Sequence, residues 1–122
     1  MALGPVAQIH ISVTDLERSV AFYRDVLGIP HLFTVPGQPM AFFRSGPVRL
    51  YLGVPEDESF RSRTVHYYEV DDIDAEFHRL KDRNVSFVDE PHVVHRDDSG
   101  ELWMAFFRDP DGHHLALMQQ KA

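Results

Sequence analysis

Two stretches of this chain repeat one another, and the repetition limits the fold more than any other feature. Val13-Thr14-Asp15-Leu16 answers to Val70-Asp71-Asp72-Ile73, and Phe42-Phe43-Arg44 to Phe106-Phe107-Arg108. Internal similarity of this kind marks a small unit used twice. In the first copy, residues 6–13 alternate: Ile9, Ile11 and Val13 share one face, and Gln8, His10 and Ser12 the other. Thr14 reads as a helix N-cap with Glu17 completing a capping box, and Leu16, Val20, Tyr23 and Leu27 form one apolar helical stripe. Gly28 is predicted to end the helix in the left-handed conformation, and Pro30 forbids its continuation. Strands over 31–35, 40–44 and 48–54 follow, the first two joined by the turn cluster Pro36-Gly37-Gln38-Pro39.

The pattern then restarts. Residues 65–70 read as a strand, Asp71 as a cap, and Ile73, Phe77 and Leu80 as a helix stripe, with Asn84 standing where Gly28 stood. Strands over 85–95, 101–108 and 113–119 complete the second copy, the last two joined by the turn Asp109-Pro110-Asp111-Gly112. Each copy is βαβββ. The expected organisation is one domain over 1–122, with module one at 5–54, a polar linker at 55–63 and module two at 64–120. Nine extended linker residues reach roughly 30 Å, enough to cross a small domain or to hand the second module to a neighbouring chain. Each helix covers one sheet face and leaves the other bare. The fold expected is α+β, with tandem βαβββ modules forming a curved mixed-sheet cup whose bare faces make its wall.

Composition removes several classes of function. A formal charge of −7 with scattered Lys and Arg argues against a nucleic-acid partner. With Cys at 0, thiolate metal sites, disulfides and cysteine nucleophiles are excluded. No apolar run approaches the roughly 20 residues that cross a bilayer. Residues 1–15 lack a signal-peptide pattern, so a cytoplasmic location and no membrane partner are expected. Neither a Ser-His-Asp arrangement nor a Gly-rich phosphate loop is present.

The tandem βαβββ pattern, the opening Val-Thr-Asp-Leu-Glu-Arg-Ser-Val-Ala-Phe-Tyr-Arg-Asp-Val-Leu-Gly and the closing Phe-Arg-Asp-Pro-Asp-Gly resemble the vicinal oxygen chelate superfamily. It includes glyoxalase I, extradiol dioxygenases, bleomycin-resistance proteins and fosfomycin-resistance transferases. The resemblance spans residues 5–120 and implies the glyoxalase-like fold without choosing a reaction. It also implies a divalent metal in the enzymes, with one ligand from each of four strands. Carried over by motif, those positions are Gln8, Tyr51, Val65 and Ala116. Val and Ala offer no donor atom and Gln is a weak ligand, so no metal and no other cofactor is expected.

A displaced site is the alternative. His10 shares the face of Gln8, Glu69 that of Val65 and His114 that of Ala116, and two His with one carboxylate suit a divalent cation. His66 falls one residue off the expected ligand position, so parity turns it to the helix layer as a structural histidine. Tyr51, Tyr67 and Trp103 are candidate cup walls, with Arg49 beside Tyr51, free either to pair with Glu69 or to meet an anionic ligand. The ligand-binding set is therefore Gln8, His10, Arg49, Tyr51, Tyr67, Glu69, Trp103 and His114.

The function expected is a metal-free small-molecule-binding protein of the bleomycin-resistance type that holds an aromatic or amphipathic ligand. The alternative is a glyoxalase-like lyase or isomerase, or a dioxygenase-type enzyme, with a displaced metal or with His10 or Glu69 as general base. A third reading is an assembly module with a vestigial cup. The resemblance further implies a homodimer.

Overall fold

The computed structural model describes residues 2–122. The chain forms two compact units, one ending at Arg63 and the other starting at Thr64. In the first unit, β1 (Gln8–Ser12) leads into α1 (Leu16–Ala21), and β2 (His31–Thr34), β3 (Met40–Ser45) and β4 (Val48–Gly53) follow. The sheet order is β1-β4-β3-β2, with β1 parallel to β4 and the other pairs antiparallel. The second unit holds β5 (His66–Glu69), α2 (Ile73–Asp82), β6 (Ser86–Phe87), β7 (His92–Asp97), β8 (Gly100–Arg108) and β9 (His114–Lys121). Its path is β5-β9-β8-β6, with β7 also paired to β8 and β5 parallel to β9. Both sheets are mixed, each with one parallel pair whose long connection includes a helix.

The helix faces hold the cores. In the first unit Ile11 and Val13 meet Leu50, Leu52, Ala41 and Phe43 beneath Val20 and Tyr23, all buried. In the second, Ala105, Phe107, Leu115 and Leu117 lie under Ile73, Phe77 and Leu80. Packing of this sort supplies most of the helical stability, because helices this short are marginal on propensity alone.

Local chemistry departs from the sequence pattern at three places. The caps fall one residue later than expected: Asp15, not Thr14, accepts from the Arg18 amide, and Asp72, not Asp71, accepts from that of Ala75. An aspartate reaches the N3 amide at least as well as threonine, and Thr14 instead accepts from the Arg18 guanidinium at 3.0 Å. The first helix also widens into a π-helical turn over Phe22–Val26 before Gly28 (φ 77) ends it. The Ile29 amide therefore bonds the Tyr23 carbonyl, one residue further back than the Schellman bond from Val85 to Leu80 that closes α2 beside Asn84 (φ 66). Finally, the strand expected over 85–95 is split into β6 and β7. Between them the Asp89 carboxylate accepts from the Phe106 amide at 2.7 Å, and Pro91 has no N–H to offer a ladder.

Candidate functional site

On the bare face of the first sheet, strand register sets one residue of each strand in a line. Phe33 faces Phe42, Phe42 faces Tyr51, and Tyr51 faces His10. The four rings touch in sequence, at centroid separations of 4.9, 5.0 and 4.6 Å. Phe42 and Tyr51 stack within 25° of parallel, and His10 meets Tyr51 edge-on. Cross-strand aromatic pairs at these distances are favourable geometries that also stiffen the surface they form. The Arg49 guanidinium lies 4.8 Å above the Phe42 ring while its Nε donates to Gln8 Oε1 at 2.9 Å. Arg49 is thus engaged within its own sheet, by Gln8 and Phe42.

The segment 55–63, expected as an extended spacer, folds back on the same unit. Asp57 caps a 3₁₀ turn at Glu58–Phe60, and Ser62 closes the segment onto β1, the sheet's edge strand. The Ser62 hydroxyl donates to the His10 carbonyl at 2.7 Å and accepts from the Ser12 amide, while the Ser62 amide donates to the Ser12 hydroxyl at 2.8 Å. These bonds satisfy edge groups that a fifth strand would otherwise attract. Between this strap and the sheet lies a recess of about 680 Å³. Gln8, His10 and Tyr51 line it from the sheet, Gln38 and Pro39 from the β2–β3 turn with Met40 at the start of β3, and Glu56, Asp57 and Phe60 from the strap, which Val54 and Pro55 lead into. That volume is in the range of small-molecule sites.

Burial holds the His10 imidazole below its usual value, so it is the neutral form that meets the recess near pH 7. Its Nε2 sits 3.2 Å from the Ser12 hydroxyl. The formally charged side chains among the lining residues are Glu56 and Asp57, both acidic. The turn and strap residues escaped sequence reading, because nothing local to 38–40 or 55–60 reports that these segments fold against β1 and β4. The period-two alternation that placed Gln8, His10 and Ser12 on one face was the signal that could be read.

The remaining sequence candidates lie in the second unit and are not gathered in the same way. Tyr67, half exposed, meets Phe106 edge-to-face at 5.8 Å across the buried Ala116. Trp103 stands opposite Gln119, whose side chain reaches the start of α2 by bonding the Ile73 amide and the Asp71 carbonyl. Trp103 therefore lies on the helix face, away from Tyr67. There its indole N–H donates to Glu101 at 3.1 Å, and Lys121 sits 4.1 Å above the ring. Glu69 pairs in register with Met118, so His114, four residues earlier on the parallel neighbour β9, is about 13 Å away along the strands. Two groups so separated cannot share one ion. Glu69 instead borders recesses of about 300 and 600 Å³ near the α2 N-terminus. His66 is on the helix side, where burial holds its pKa low and its Nδ1 has no hydrogen-bond partner among the described residues.

The four positions that the family resemblance assigns to metal ligands do not suit a divalent cation. Gln8 Oε1 is taken by Arg49, Tyr51 is stacked on Phe42, Val65 is an aliphatic side chain just outside β5, and Ala116 is buried with no donor. Among the described residues, no group of three or more His, Asp or Glu side chains is arranged to hold a metal ion. Among the described residues, no helix is long and apolar enough to cross a membrane.

Comparison with known proteins adds the following. The family model for the Glyoxalase/Bleomycin resistance protein/Dioxygenase superfamily matches residues 5–117. The metallothiol transferase FosB of Staphylococcus epidermidis is 31% identical, over 92% of this chain and 81% of that one. FosB of Lysinibacillus sphaericus is 29% identical over 99% of this chain and 89% of its own length. Among solved structures, TnmS3, an antibiotic-binding protein from Streptomyces sp. CB03234, superposes with a TM-score of 0.78 at 27% identity, covering 99% of each chain. A superfamily member from Sphaerobacter thermophilus gives a TM-score of 0.80 at 24% identity, covering 97% of this chain and 98% of its own.

Proposed function

Since the chain belongs to the Glyoxalase/Bleomycin resistance protein/Dioxygenase superfamily, we propose that it is a metal-free small-molecule-binding protein whose ligand lies in the recess of the first unit. The ligand is aromatic or amphipathic. The observation that carries this reading is the recess itself, where Tyr51 and His10 present rings and Gln8 a polar tip. Apolar walls with a few polar groups bury a ligand and orient it. The antibiotic-binding relative TnmS3 supports a binding role, and the absence of donor side chains at two of the four family ligand positions supports a metal-free one. Homodimerisation and a cytoplasmic location belong to the same proposal; a monomeric mass by light scattering at micromolar concentration would remove the dimer.

A second reading is favoured by one observation. His10 is kept neutral by burial in the recess, which is the state a general base needs. The FosB relatives, named as metallothiol transferases, point towards an enzyme as well. Screening aromatic and amphipathic compounds by thermal shift, followed by calorimetry and a turnover assay, separates the readings. Stoichiometric binding without turnover is expected. About one tightly held metal ion per chain in protein purified without chelator or affinity tag, lost in His10→Ala, would overturn the metal-free proposal.

A further inference from the structure

Gly53, the last residue of β4, is buried and points to the same sheet face as Tyr51, two residues earlier. A Cβ placed on Gly53 would stand 2.7 Å from Tyr51 Cε1 and 3.0 Å from both Cζ and the hydroxyl oxygen. The Tyr51 ring therefore does not rise off the sheet. It leans along the strand and lies over the Cα of Gly53, where only a glycine leaves room. The backbone itself does not ask for glycine, since Gly53 is not among the positive-φ residues. Its missing side chain serves the ring. Laid down in this way, Tyr51 stacks on Phe42, takes the edge of His10 and forms part of the recess lining.

We propose that Gly53 is a positioning residue that sets the depth of the recess, and that the shelf it creates accepts a flat aromatic molecule carrying positive charge. This inference rests on the binding role proposed above. A ring leaning along the strand leaves space above it for a ligand, whereas an upright ring would fill that space. The charge preference follows from the lining. Glu56 and Asp57 are acidic, His10 is held neutral, and the nearby Arg49 is already bonded to Gln8 and seated on Phe42. Among the described lining residues, an anionic ligand would meet two carboxylates and no cationic side chain. A cationic aromatic would gain from those carboxylates.

The test uses three flat probes of similar size: proflavine, which is cationic, anthracene-9-methanol, which is neutral, and anthracene-9-carboxylate, which is anionic. Each is titrated by fluorescence against the full chain and against Gly53→Ala, Tyr51→Leu and the double variant. Proflavine is expected to bind at least about tenfold more tightly than the carboxylate, a difference of roughly 1.4 kcal/mol. Gly53→Ala should weaken proflavine binding about tenfold while Tyr51 is present, and change it little when residue 51 is leucine, with melting temperatures reporting folding throughout. Such non-additivity is the signature of one residue acting through the other. If Gly53→Ala leaves affinity unchanged, or weakens it equally in the leucine background, the positioning role is wrong. If the carboxylate binds as well as proflavine, the charge preference is wrong and the binding role stands. If none of the three probes binds the unaltered chain, the recess is not a site for flat aromatics, and the proposed function loses its support too.

Discussion

The two copies of the βαβββ unit are alike on their helix faces and different on their bare ones. The triplet His10–Tyr51–Phe42 crosses β1, β4 and β3, and the triplet Tyr67–Ala116–Phe106 crosses β5, β9 and β8 at the matching place. In the first row the central residue is large, and its neighbours flank it as a continuous ring surface. In the second the central residue is a buried alanine, and the two outer rings close over it edge-to-face. One row borders an open recess, while the other spends its aromatic groups on each other. The two units thus agree where helix packs on sheet and differ on the faces left bare. Core side chains answer to volume and shape on every side, whereas a bare face is constrained mainly by the strand pleat.

The largest expected effect tests the likeness. Phe43→Ala and Phe107→Ala remove equivalent, fully buried rings from the two helix faces, and each should cost about 3–5 kcal/mol in urea unfolding. A clear inequality between them would show that the two cores are not equivalent. The next effect tests the difference. Ala116→Tyr puts the first row's central residue into the second, where Tyr67 and Phe106 already meet overhead. Overpacking of that kind should cost about 1–3 kcal/mol. Unchanged stability would mean that the rows are interchangeable and that the contrast between them is superficial.

Smaller effects concern the helix starts, where the units agree again. Asp15→Ala and Asp72→Ala each remove a side-chain cap and should lose about 0.5–2 kcal/mol, with Thr14→Ala and Asp71→Ala losing less. The reverse ranking in chemical denaturation would restore the earlier cap assignment.

The smallest effect is a pH dependence. Burial lowers the pKa of His10 in one unit and of His66 in the other, so the unfolded chain binds their protons more readily than the folded chain. Their neutral forms support folding above the unfolded value near 6.5, and that support fades as pH falls through the depressed folded values. Melting temperature should therefore decline on the acid side of neutrality. His66→Gln should flatten the decline more than His10→Gln, because the partnerless Nδ1 of His66 is buried. A decline equally steep in both variants would assign it to the carboxylates instead.

Much of the fold is legible in the sequence. Alternation marked β1, the stripe Ile73, Phe77 and Leu80 marked α2, and Gly28 and Asn84 were foreseen as left-handed helix ends, as their φ values of 77 and 66 show. Parity alone turned His66 to the helix side. The cap shift was not legible, because Thr14-Asp15 and Asp71-Asp72 each offer two adjacent capping side chains and only the chain's entry angle chooses between them. The split of the strand expected over 85–95 depended on Asp89 meeting Phe106, a partner seventeen residues away. Of the candidate site, Gln8, His10 and Tyr51 were found from register with the family motif, whereas the strap was read as a spacer.

What the sequence determined alone was therefore periodic and local: which residues share a face, where helices stop, that the unit occurs twice, and that Val65 and Ala116 bring no donor atoms. Those properties follow from the 2.0 and 3.6 residue periods and from side-chain chemistry, which every residue carries with it. Tertiary structure decided the rest. That four rings form one line, that Ser62 pins the strap to β1, and that Gly53 leaves room for Tyr51 each depend on strand register or on contacts between residues distant in the chain. Register emerges only when a whole sheet finds the pairing that buries its apolar face, so no single strand contains it.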